Sequence, residues 1–193
     1  TLNNILSELL WLKKVCEAYQ GEASVLFYYA GHGIPDEVTN DSYILPVDGD
    51  VALIQSAYKM SELYNELSSM DSRLTLVFMD ACFSGSLRGD GMLASAKPET
   101  PKGKMVVFTA ASGNETAYPY DEQNHGLFTY FLLKNLQNSN GSCSLGELYD
   151  FISKNVRQQS IVTKGKSQSP TVSASAGIAN WEKIKLRQPF PSH

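Results

Sequence analysis

The sequence predicts an α/β sandwich in which a largely parallel sheet is covered by helices on both faces. Two observations carry this. Three near-continuous apolar runs, "SVLFYYA" at 24–30, "RLTLVFMD" at 73–80 and "KMVVFTA" at 104–110, have the composition of strands buried on both sides, and segments with apolar residues at helical spacing alternate with them. A chain of 193 residues, 42% hydrophobic and 19% charged, is long enough for one domain with a full core.

Leu2, Ile5, Leu6, Leu9, Leu12 and Cys16 recur at helical spacing, and Gly21 closes that helix before the first strand. Gly31-His32-Gly33 is expected to break the strand. Between Ile34 and Lys59 the chain is irregular, with "SYILPV" as a short strand, and Ser61 is placed to cap a helix that buries Leu63, Leu67 and Met70. After the second strand, "SGSLRGDGMLASAKPETPKG" has the Gly, Ser and Pro content of an exposed loop. Beyond the third strand a helix buries Phe128, Phe131, Leu132 and Leu136. Ser144 and Glu147 form a capping-box pattern for another. "SPTVSAS" at 169–175 predicts a last strand at a sheet edge, because Pro170 donates no ladder hydrogen bond.

A net charge of −4 and a pI near 5.4 argue against nucleic acid as a partner and against an anionic membrane surface. No apolar run reaches the roughly 20 residues of a membrane span. Cys16, Cys82 and Cys143 are too few and too scattered for a disulfide framework, form no zinc-ligand pattern, and fit a reducing compartment. The chain opens on Thr1 already in a helical pattern, which suggests a fragment or a processed form.

In parallel sheets ligands bind at the carboxyl ends of strands, and His32 and Cys82 each fall just past such an end. A thiol with an ordinary pKa of about 8.5 needs a base to act as nucleophile near neutrality, and His32 is the base at hand. Backbone N–H groups of Gly33 and Cys82 are candidates for an oxyanion hole, and Gly33 and Gly85 leave room for a substrate backbone. His125 stands in a polar loop and ranks below His32. Cys16 is expected as core filler, and Cys143 as an incidental loop thiol.

"FYYAGHG" and "DACFSGS" resemble the histidine and cysteine motifs of the caspase-like cysteine peptidases, nearer to metacaspases and paracaspases than to animal caspases. "YILPVD", "SGNETAYPYDEQNHGLFTYFLLKNL" and "SQSPTVS" resemble later segments of that family, so the similarity covers most of the chain. The resemblance implies a three-layer α/β/α sandwich with a six-stranded sheet, spanning 1–186 with a tail at 187–193. It also implies peptide-bond hydrolysis through a thioester on Cys82 with His32 as base and acid. The family's first strands are absent from this sequence, so a separate N-terminal fragment of the same precursor is an expected partner.

The family's acid two positions before the cysteine, here Asp80, goes with substrates bearing Arg or Lys at P1, the residue before the cut. A carboxylate in the pocket wall attracts a cation and repels an acidic side chain. Glu115 resembles a second acid of that pocket. The 84–103 segment occupies the position of the family's cleaved linker, with Arg88, Lys97 and Lys102 as candidate self-cleavage points.

No metal is needed for this chemistry. Asp36, Glu37, Asp41, Asp48 and Asp50 lack EF-hand spacing, and calcium is retained only as an activator. Two other readings stand beside the peptidase: a catalytically silent scaffold or binding module, and a thioester enzyme with a different acceptor.

Overall fold

The computed structural model describes residues 1–83, 98–113 and 115–187. In chain order these form α1 (Leu2–Ala18), β1 (Ser24–Pro35), β2 (Ser42–Leu45), β3 (Tyr58–Lys59), α2 (Met60–Ser69), β4 (Leu74–Cys82) and β5 (Met105–Thr109). There follow β6 (Pro119–Tyr120), β7 (His125–Gly126), α3 (Leu127–Ser139), α4 (Leu145–Lys164) and β8 (Thr171–Ala174). The main sheet has six strands in the order β3-β2-β1-β4-β5-β8. Its centre, β1-β4-β5, is parallel, and β2, β3 and β8 join it antiparallel.

Both faces are covered, as the apolar runs predict. Alternation along β4 sends Val77 and Met79 to one face, against α1 and α2 through Leu9, Cys16, Leu63 and Leu67. Leu76 and Phe78 go to the other, against α3 and α4 through Phe128, Leu132, Leu148 and Ile152. The Ser144–Glu147 capping box forms in full, with Glu147 N–H donating to Ser144 Oγ at 3.2 Å and Ser144 N–H to Glu147 Oε2 at 2.7 Å.

Three local expectations change. Gly31-His32-Gly33 does not end the strand: β1 runs on to Pro35, because past Gly31 the backbone pairs with β2 in the register His32 to Leu45 and Pro35 to Ser42. Ser61 does not cap α2, whose N-cap is Lys59 without a side-chain bond. Cys143 sits in the loop between α3 and α4 as expected but is not incidental, being 8% exposed and packed into the core on that face.

Strand β1 pairs with β4 from Ser24 to His32, but its other edge meets β2 only from His32 onward. Among the described residues Ser24–Gly31 therefore has one open edge. Leu26 and Tyr28 beside it are 60% and 43% exposed. No helix of the described residues is long and apolar enough to cross a membrane.

Candidate active site

The β1–β4 register pairs His32 directly with Cys82, so residues fifty positions apart in sequence stand on adjacent strands. Adjacent strands lie about 4.8 Å apart, and residues at i and i+2 share a sheet face. Tyr28 and His32 of β1 and Asp80 and Cys82 of β4 accordingly line one cleft of about 870 Å³ at the carboxyl ends of the strands. Ala117 and His125, from the chain beyond β5, complete the wall.

The thiol is half-buried. The Ala117 N–H points at Sγ from 2.8 Å, and the thiol donates to the Ala117 carbonyl at 3.3 Å. Burial pushes the Cys82 pKa up; the Ala117 N–H opposes this, and the Asp80 charge adds to it. Among the described residues no hydrogen bond joins Sγ to the His32 ring. The histidine is set by its backbone: the Tyr29 hydroxyl lies 2.9 Å from the carbonyl oxygens of both His32 and Leu45 and shares its one proton between them. Burial raises that phenol to about 12, so it stays a donor at any working pH.

Gly33 is buried, and a Cβ there would meet the Phe83 ring at 2.5 Å and the Cys82 carbonyl oxygen at 2.7 Å. The missing side chain thus makes room for Phe83.

Asp80, 8% exposed, lies two residues below the thiol on the same face. Its Oδ2 accepts from Thr129 Oγ1 at 2.5 Å and from Thr129 N–H at 3.1 Å, at the N-terminus of α3. That helix end favours a negative charge. Thr129 Oγ1 also bonds the Tyr28 hydroxyl at 2.7 Å. Gly126 clears the space, since a Cβ there would collide with Asp80 Oδ2. Burial still raises the Asp80 pKa above the usual carboxylate value, with both Thr129 bonds opposing. All the hydrogen bonds that Asp80 accepts from described residues fall on Oδ2. Tyr28 and Thr129 were not foreseen from sequence. The visible trace is Gly126, which an isolated N-cap tolerates but does not require.

Glu115 does not line the cleft. Its Oε2 accepts from Ser169 N–H at 2.6 Å and Ser112 Oγ at 3.1 Å, and its Oε1 from Ser169 Oγ at 3.0 Å. A second acid that does line it, Asp121, pairs with Lys164 at 2.7 Å. Lys and Arg are absent from the lining among the described residues.

Of the candidate cleavage points, Arg88 and Lys97 lie outside the described residues. Lys102 Nζ donates to Asn65 Oδ1 at 2.8 Å, while the next residue, Gly103, has φ +63° and its carbonyl accepts from Ser175 Oγ at 2.6 Å. In this conformation the bond after Lys102 is tied down.

Four of the acids after the histidine have partners within the fold. Asp36 Oδ1 accepts from the N–H groups of Val38 and Thr39, Asp50 Oδ1 from Ala52 N–H, Asp48 Oδ1 from Leu2 N–H, and Asp41 pairs with Lys59 at 2.7 Å. Among the described residues no cluster of three His, Cys, Asp or Glu side chains is arranged to hold a metal ion.

A histidine and a cysteine paired at the end of the parallel β1–β4 ladder, in a six-stranded α/β/α sandwich, fit a caspase-like architecture. The family model for the caspase domain matches residues 1–178, and the chain belongs to that family, one of cysteine peptidases acting on proteins. Among solved structures it is similar to protein GSU0716 from Geobacter sulfurreducens, at TM-score 0.59 and 16% identity over 91% of this chain and 76% of that one. It is also similar to caspase-1 from Spodoptera frugiperda, at TM-score 0.56 and 14% identity over 94% of this chain and 72% of that one. No curated protein matches by sequence.

Proposed function

We propose that the chain is a cysteine endopeptidase cleaving after Arg or Lys, with Cys82 as nucleophile, His32 as general base and then acid, and Asp80 as the charge that selects P1. The single observation that carries the P1 reading is the placement of Asp80: a buried carboxylate on the floor of the cleft, near the thiol, with its hydrogen bonds on Oδ2 and no Lys or Arg in the described lining. A guanidinium or ammonium entering there meets a desolvated counter-charge, and an aspartate side chain meets repulsion. The backbone N–H groups of Gly33 and Cys82 remain our candidates for holding the oxyanion.

A fluorogenic library varied at P1 tests this reading. Arg and Lys substrates should be cleaved and Asp substrates left intact; an Asp preference would overturn it. Asp80→Asn keeps an oxygen for Thr129 and removes the charge. It should lower kcat/KM for P1 Arg by about 10- to 100-fold, the worth of a charged hydrogen bond. Because burial raises the Asp80 pKa, the wild-type KM for P1 Arg should begin to rise on acidification at a higher pH than an ordinary aspartate would give. Calcium is carried as an activator alone, and the same assay run with calcium and with a chelator decides it.

Self-processing belongs to the same proposal. With Lys102 held on Asn65, cleavage after Arg88 or Lys97 is favoured. Intact mass of active enzyme should show a cut after one of them, and an uncut active chain would count against it. The open edge of β1 with exposed Leu26 and Tyr28 supports a partner strand from a separate N-terminal fragment.

A further inference from the structure

The backbone that touches the nucleophile belongs to the segment 110–118 beyond β5, and that segment is fastened to 167–170, ahead of β8, by side chains the chemistry does not use. Gln168 is 0% exposed, and both polar atoms of its side chain are bonded. Its N–H donates to Ser160 Oγ at 2.9 Å, its Nε2 to the Ala110 carbonyl at 2.9 Å, and its Oε1 accepts from Tyr118 N–H at 2.9 Å. One side chain thereby holds both ends of the segment. Glu115 adds a clasp at its middle through Ser169 and Ser112. Between these fixed points lies Ala117, whose peptide faces Sγ.

We infer that Gln168 is a positioning residue: with Glu115 it clamps the segment 110–118 to 167–170 and so sets the Ala117 N–H against the sulfur of Cys82. The inference rests on the reading of Cys82 as nucleophile. An N–H aimed at sulfur favours the thiolate, and aim is what the clamp supplies. A polar side chain used only to fill the core would leave the thiol unaffected when replaced. Glu115, which does not reach the cleft, acquires a role here through Ser169.

The test is the pH profile of Cys82 alkylation by iodoacetamide, followed by peptide mass. Buried Cys16 and Cys143 serve as internal controls for unfolding. Gln168→Met removes both amide contacts at similar length. In the folded variant the alkylation midpoint should rise by about one pH unit, with about tenfold slower labelling at a pH below both midpoints. Glu115→Ala should move it in the same direction by less, and it decides the matter on the same criterion if Gln168→Met fails to fold. Folded variants with the wild-type profile would overturn the inference. The probe needs no peptide substrate, so a chain that labels as expected yet hydrolyses nothing would sink the proposed activity and leave the clamp standing.

Discussion

Cys82→Ala is expected to reduce peptide hydrolysis to background while leaving a cooperatively folded protein. Removing the nucleophile of a covalent hydrolase costs on the order of 10⁶ in kcat, so a residual rate above about one thousandth of wild type would contradict the assignment. The fold should survive because Cys82 is only half-buried and its hydrogen bonds to described residues are confined to the Ala117 backbone. Their loss costs about 1 kcal/mol, to be checked by thermal melting. The pH profile supplies a second readout. Burial holds the thiol protonated to higher pH than a free cysteine, so the wild-type rate should climb as pH rises through neutrality into the alkaline range.

The second large effect is expected at His32. The β1–β4 register puts it opposite Cys82, and general acid–base transfer is worth about 10² to 10⁴, so His32→Ala should lower kcat/KM by that factor. His125 lines the same cleft and is the internal rival. His125→Ala should stay within roughly threefold of wild type, as for a histidine that does not carry the proton. Reversed results would transfer the base role to β7. Both variants are assayed with one P1 Arg substrate and judged on kcat as well as kcat/KM.

What the sequence made legible follows from the range of the interactions involved. The buried strands and their helices are written as local apolar patterns, and the end of the second pattern places Cys82 at the end of β4, whereas His32 lies inside β1, which runs on to Pro35. Gly-His-Gly looked like a break because glycine disfavours a strand on its own, and only the partner strand β2 shows that the backbone continues. Asp80 was visible as a misfit in an apolar run, but its partner Thr129 stands 49 positions away and Tyr28 a further step beyond, and the one sequence trace of these contacts, Gly126, does not name them. Glu115 shows the limit most clearly. A carboxylate in a polar loop has the same local context whether it faces a substrate or the N–H of Ser169, and it faces Ser169.

The relation between Asp80 and the thiol also limits how the site is tuned. Its charge raises the Cys82 pKa, while its bonds to Thr129 and the clearance at Gly126 keep it beside the pocket floor. On the proposed reading, selectivity for a cation would come at some cost to thiolate content, part of which the Ala117 N–H offsets. A bound P1 cation would screen Asp80 and lower the thiol pKa, so nucleophilicity should rise when the right substrate is seated.

The most direct test of the central claim is covalent capture with paired acyloxymethyl ketones identical except for P1 Arg or P1 Asp, followed by peptide mapping. The account predicts modification of Cys82 alone, by the Arg reagent in strong preference to the Asp reagent, and no capture in Cys82→Ala. Failure of both reagents on folded wild-type protein, capture at another cysteine, or preference for the Asp reagent would contradict it.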